Sequence, residues 1–161
     1  MNPRPRSRNR ELEVHRRRYF LRSKSPRLIG ASFSYIKLPD DTTFTIGPNS
    51  DVVIDKFVYD AGSSPKTIVA NMSKGVFRWV TGKVAPKDPA AMKVTLPVGD
   101  LGIRGTDFEA TVEGDGSGVV TLQFGQLEIT EKKTGFKFIL EAGHRVTFSA
   151  DGAISRPIKM E

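Results

Sequence analysis

Apolar and polar residues alternate through the second half of the chain with a period of two. Phe108, Ala110 and Val112 fall on one parity and Asp107, Glu109 and Thr111 on the other, and Val120, Leu122 and Phe124 repeat the arrangement. That period belongs to a strand with one face on a core and one in water. The intervening Gly114-Asp115-Gly116-Ser117-Gly118 predicts a hairpin tip. Leu127 and Ile129, then Phe136, Phe138 and Leu140, then Val146 and Phe148 continue the same apolar face. Sequential antiparallel strands with one Phe-rich side are the simplest reading. In the middle, Val52-Val53-Ile54 with Phe57-Val58-Tyr59, and Val76-Phe77 with Trp79-Val80, carry apolar groups on both parities, which predicts strands covered on both faces.

Turn-forming residues punctuate this pattern every 8 to 12 residues from Ala31 onward. Further turns are predicted at Pro39-Asp40-Asp41, Gly47-Pro48-Asn49, Asp60-Ala61-Gly62, Ser73-Lys74-Gly75, Lys132-Lys133-Thr134-Gly135, Ala142-Gly143 and Asp151-Gly152. The segment from Ala85 to Met92, with Pro86 and Pro89, predicts a loop, because two missing backbone donors exclude a central strand. The expected architecture is one antiparallel all-β domain over residues 29–161. It would be sandwich-like or rolled, with strands 52–59 and 76–82 near its centre. A short β-solenoid is the second arrangement the pattern allows.

Charge divides the chain differently. Residues 1–28 hold ten Arg or Lys against Glu11 and Glu13, whereas the other 133 residues carry 15 basic and 16 acidic side chains. The net charge of +7 therefore belongs to a basic head, expected to be disordered by self-repulsion, and not to the domain. A nucleic-acid-binding domain carries its basic stripe on its own surface. The head alone would give non-specific, salt-sensitive association with nucleic acid or anionic lipid. No apolar run approaches the roughly 20 residues that cross a bilayer, and Tyr19-Phe20-Leu21 is too short for the apolar part of an export signal.

Catalytic chemistry finds few candidates. The chain has no Cys, which excludes disulfides, thiolate metal sites and cysteine nucleophiles. Its two histidines are His15, in the head, and His144, whose place after Ala142-Gly143 suits an exposed strand start. The glycine run at 114–118 lacks the spacing of a nucleophile elbow and the lysine of a phosphate loop. Asp115 and Ser117 offer too few oxygens for a calcium loop. No enzyme, cofactor, metal or small-molecule substrate is expected, and an enzyme acting through His144 is the residual alternative.

Two segments carry a more specific signal. Ser73 to Lys83 is a glycine-bounded aromatic strand ending at Gly82, and Leu101 to Glu109 sets an Arg between two glycines ahead of an alternating strand. Together with Gly47-Pro48-Asn49-Ser50 and Phe57-Val58-Tyr59-Asp60, these resemble the FecR domain family, with the motifs in the family's order from about Asp40 to Gly152. The resemblance implies a non-enzymatic, all-β regulatory, sensor or protein-interaction module of the bacterial cell envelope, periplasmic in location and linked to iron-uptake signalling. It brings forward Tyr59, Asp60, Gly75, Trp79, Gly82, Gly102, Arg104, Gly105, Thr106 and Asp107 as structural positions or partner contacts. Family members also hold a sigma factor through a short cytoplasmic domain. That role does not simply carry over, since no helical sigma-binding region, membrane helix or export signal is legible in these residues, and whether sigma regulation applies and whether Met1 is the true start both stay open at this point.

Arg104 can be read on its own chemistry. Glycines at 102 and 105 suit a tight buried turn, where the guanidinium would satisfy loop carbonyls or a carboxylate such as Asp60 or Asp107. The alternative sets Arg104 outward as the anchor for a partner's carboxylate. Burial is the expected outcome, as it is for Trp79, whose apolar area suits a core better than a ligand platform.

Overall fold

The computed structural model describes residues 12–13, 17–21, 34–37, 41–59, 65–82 and 92–161. Every regular element among them is a strand. In chain order these are β1 (Leu12–Glu13), β2 (Arg17–Leu21), β3 (Ser34–Lys37), β4 (Thr43–Ile46), β5 (Ser50–Tyr59) and β6 (Pro65–Val80). They continue with β7 (Met92–Leu96), β8 (Gly99–Val112), β9 (Gly118–Glu131), β10 (Lys137–Glu141), β11 (His144–Phe148) and β12 (Ile158–Lys159). All join one open sheet whose main path runs β1-β5-β6-β7-β8-β9-β11-β12, with β2 on β5, β4 on β6, β3 on β4 and β10 on β9. The all-β expectation is met, with one sheet bent over its own core.

β6 is the hub, pairing with β4, β5, β7 and β8. Its pairing with β7 is parallel, Ile68 opposite Met92 through Asn71 opposite Thr95. This corrects the expected purely antiparallel order. A parallel pair needs a crossover of about a dozen residues or more, which the second half of β6 and the chain up to β7 supply.

Three strands run 14 to 16 residues, longer than the usual 3 to 10. They reach that length by bending at a glycine of positive φ: Gly75 (109°) in β6, Gly105 (60°) in β8 and Gly125 (82°) in β9. At each bend the inward parity flips. In β6 the buried set passes from Ile68, Ala70 and Met72 to Phe77 and Trp79. In β8 it passes from Leu101 and Ile103 to Thr106, Phe108, Ala110 and Val112, and in β9 from Val120 and Leu122 to Leu127 and Ile129. Register slips mark the bends, since Arg104 faces Gln126, Asp107 faces Phe124 and Phe108 faces Leu122. One extra residue falls first on β8 and then on β9, the signature of bulges that bend a strand pair. The flip keeps apolar residues of both halves on one contiguous core.

Phe44, Phe77, Trp79 and Phe108 form the aromatic centre of that core, all fully buried. Phe44 and Trp79 meet edge-on at 4.5 Å between centroids, and Trp79 stacks with Phe108 at 6.3 Å. Each ring pair adds about 0.5–1.5 kcal/mol beyond its area burial.

The bends also correct several sequence expectations. Ser73-Lys74-Gly75 and Gly102 to Thr106 are strand segments and not turns, because a lone positive-φ glycine can bulge a strand without reversing it. Phe124 leaves the apolar face and is 71% exposed, since it sits inside the parity flip. Phe136, at the rim beyond β10, is 64% exposed and stacks on half-buried Phe138. Met92 is the fully buried first residue of β7 and not loop. The two-sided cover holds for one face only: Val53, Val76 and Val80 are half-buried and Arg78 is exposed. The turns at Gly47-Pro48-Asn49, 114–118, 132–135, 142–143 and 151–152 form where expected. Of the basic head, Leu12–Glu13 and Arg17–Leu21 pair with β5 as strands. Its remaining residues, with Asp40, Asp60-Ala61-Gly62 and the body of the 85–92 segment, lie outside the described residues.

Candidate functional site

Most of the motif residues interlock beneath the surface. The Gly47 to Ser50 turn, closed by Asn49 at φ 56°, clasps the bend of β6. Gly47 N donates to Val76 O at 2.8 Å, and Val76 N donates to Ser50 Oγ at 2.9 Å. One turn thereby satisfies both backbone groups of Val76. A Cβ on Gly75 would sit 2.0 Å from Ser50 Oγ and 2.4 Å from Ser50 Cα, so this approach requires glycine. Two motifs some 26 residues apart in sequence are therefore halves of one joint.

A second joint closes around Thr81. Its Oγ1 accepts from Trp79 Nε1 at 3.2 Å and from Thr106 N at 3.0 Å, while its backbone N donates to Thr106 O at 2.8 Å. Gly82 N donates to Thr42 Oγ1 at 3.0 Å. The bend in β8 is thus tied to the end of β6. Gly105 and Gly125 approach so closely that a Cβ on Gly125 would lie 1.9 Å from Gly105 O.

Above these joints, charged side chains cross the outer face of β6, β8, β9 and β10. Arg78 Nε and Nη2 donate to the two carboxylate oxygens of Asp107 at 3.1 and 2.9 Å, a bidentate fork. The hydrogen bond to Asp107, then that residue's charge, raises the Arg78 guanidinium above its ordinary value. Arg104 Nη2 donates to Glu128 Oε2 at 3.2 Å, and Lys137 approaches Glu128 at 3.8 Å. Gln126 Nε2 donates to both Glu141 oxygens at 3.1 Å. The register sets exposed Phe124 opposite Asp107 and Gln126 opposite both Arg104 and Glu141, which makes the strip continuous across the bend. Its arginines are half-exposed, so each pair contributes only about 0–1 kcal/mol to stability. Removing any one of these pairs would therefore cost the fold little.

The sequence-derived candidates divide between the two levels. Gly75, Trp79, Gly82, Gly105 and Thr106 lie in the joints and core, with Thr106 buried and Trp79 fully so. Gly102 lies within β8 opposite Lys93 and Glu128. Tyr59 ends β5 opposite Leu12 and Pro65, and Asp60 lies outside the described residues. Arg104 is corrected. It stands in the outer strip with its side chain 45% exposed and pairs with Glu128, because the bulge turns its parity outward, while Asp107 is taken by Arg78. Sequence reasoning misses Glu128, Gln126 and Arg78 as members of this strip. Their parity opposite Leu127, Ile129, Phe77 and Trp79 is the signal that could have found them.

Among the described residues no three His, Asp or Glu side chains gather as a metal site. His144 opens β11, half-buried, with Nδ1 3.2 Å from Ala142 O. No helix among the described residues is long and apolar enough to cross a membrane.

No curated protein matches the sequence. Two crystal structures of a candidate anti-sigma factor from Parabacteroides distasonis share the fold. One aligns at 14% identity and a TM-score of 0.62, covering 91% of this chain and 61% of that one. The other aligns at 13% and 0.63, covering 90% and 60%. The chain thus spans about three fifths of the length of those proteins. The FecR protein family matches residues 30–128, which take in both joints, the bends of β6, β8 and β9 and the Arg78, Asp107, Arg104 and Glu128 strip. By that match over more than half its length, the chain belongs to the FecR family.

Proposed function

We propose that this protein is a non-enzymatic regulatory module of the bacterial cell envelope that works by binding another protein, with the outer strip around Phe124 and Arg104 as the contact surface. Membership of the FecR family over residues 30–128 is the observation that carries the reading. The similarity in fold to a candidate anti-sigma factor is consistent with it. The strip adds a physical reason. It presents one large exposed aromatic beside paired charges whose removal costs the fold little, the composition of an interface anchor with a polar rim. Membership of the family supports a periplasmic location as part of this reading, and iron-uptake signalling is the first context in which to look for the partner.

The test is capture from envelope extract by the full chain, compared with Phe124→Asp and Arg104→Glu, both monitored for an unchanged thermal midpoint. The proposal expects one protein retained by the wild type and lost from both variants. Retention unaffected by either substitution contradicts it. If capture instead disappears when Arg4, Arg6, Arg8 and Arg10 are changed to Gln, and falls steeply with salt, the basic head drives association.

A further inference from the structure

β10 pairs with β9 on one side, and among the described residues nothing pairs with its other edge. The phase of that edge follows from the hairpin. Glu131 N donates to Phe136 O at 2.8 Å, which makes residues 131 and 136 a hydrogen-bonded pair. Bonded and non-bonded pairs alternate along an antiparallel ladder. Phe138 and Leu140 therefore spend their backbone groups on Ile129 and Leu127, and Lys137, Ile139 and Glu141 turn theirs outward. A free edge of this kind is a template for another strand.

The residues along the edge choose the occupant. Reversed about Ile139, the segment Lys137-Phe138-Ile139-Leu140-Glu141 complements itself. Lys137 meets Glu141 of the second copy, Ile139 meets Ile139, Phe138 meets Leu140, and Glu141 meets Lys137. The same register brings each outward-turned residue against an outward-turned residue, as a bonded ladder requires. Opposite charges facing across antiparallel strands stabilise the pair, and a twofold axis through residue 139 applies every contact twice. Exposed Phe136 (64%) and Ile139 (39%) lie along the seam, one on each face of the sheet. The ladder stops where Met160 N donates to Gly143 O and β12 begins to occupy the edge.

We infer that two copies of this chain associate through antiparallel pairing of β10 with β10, centred on Ile139. A ladder of five residues from each copy falls below the size of a stable interface, so the association is weak and depends on concentration.

Charge exchange tests it on the full chain. Sedimentation equilibrium should show concentration-dependent dimers for the wild type. Lys137→Glu and Glu141→Lys should each weaken self-association at least tenfold. The double exchange should restore it. An equimolar mixture of the two single variants should form heterodimers, since positions 137 and 141 of one variant then each meet the opposite charge on the other. Ile139→Pro, which removes only an outward N–H and is tolerated on an edge strand, should also abolish dimers while the circular dichroism spectrum stays unchanged. A wild type that remains monomeric to millimolar concentration overturns the inference, and so do single exchanges that dimerise like the wild type or a double exchange that fails to recover.

Discussion

Gly75→Ala perturbs the joint on which the bend of β6 depends. The added methyl carbon would lie 2.0 Å from Ser50 Oγ and 2.4 Å from both Ser50 Cα and Cβ, at a backbone φ of 109° that side-chain-bearing residues rarely adopt. Holding that conformation costs about 1–3 kcal/mol. Displacing Ser50 removes the acceptor of Val76 N, a partly buried donor, for another 1–3 kcal/mol or so. The sum, about 2–6 kcal/mol, is a large share of the roughly 5–15 kcal/mol that holds a domain together. Gly143→Ala is the reference, because Gly143 has a φ of 80° and open space around the new carbon. It should cost only the conformational part, about 1–2 kcal/mol. Ser50→Ala should cost about 1–2 kcal/mol by itself, and it should not rescue Gly75→Ala, since Ser50 Cα remains in place. Urea unfolding of the four variants followed by Trp79 fluorescence gives the comparison. Gly75→Ala and Gly143→Ala losses within about 0.5 kcal/mol of each other would refute the joint.

Arg104→Ala should lower stability by about 1 kcal/mol at most, because its pair with Glu128 is half-exposed; a loss of about 3 kcal/mol or more in denaturant midpoint analysis would restore the buried reading. Trp79→Ala should cost about 3–5 kcal/mol, and Trp79→Phe less, though the latter still leaves Thr81 Oγ1 without its indole donor. Asp115 and Asp151 lie below the usual aspartate value, each chiefly through a serine hydroxyl donating to the carboxylate, Ser117 and Ser149 respectively. Their ionised forms therefore favour the folded state. That contribution is complete above the unfolded aspartate value and disappears as pH falls through the lowered folded values, so Asp115→Asn and Asp151→Asn should flatten the acid limb of a midpoint-versus-pH curve.

What the sequence reveals of this fold depends on the period of two. Where it runs unbroken, as from Phe108 to Val112 and from Val120 to Leu122, it identifies the buried face correctly. It misleads at the glycines. Gly75, Gly105 and Gly125 are readable as residues that permit positive φ, but sequence does not distinguish a glycine that reverses the chain from one that bulges a strand. That ambiguity puts Arg104 in a buried turn, and it carries Phe124 onto the core face across a parity flip. The clasp of Ser50 on Val76 is a tertiary pairing between distant segments, which local pattern does not encode. The motifs that carry the resemblance are largely those joints, so they report architecture, while Glu128 and Gln126 of the outer strip lie outside them.

If the joints build the bend and the outer strip makes the protein contact, a reactive group set in the strip must find the partner. A photoreactive phenylalanine analogue at position 124 of the full chain, irradiated in envelope extract, reads this out, with the same analogue at Lys133 in the exposed turn before β10 as the comparison. One discrete cross-linked protein is expected from position 124, absent from position 133 and lost when Arg104→Glu is added. Equal cross-linking from both positions, or a product from position 133 alone, would contradict the assignment of the strip as the contact surface.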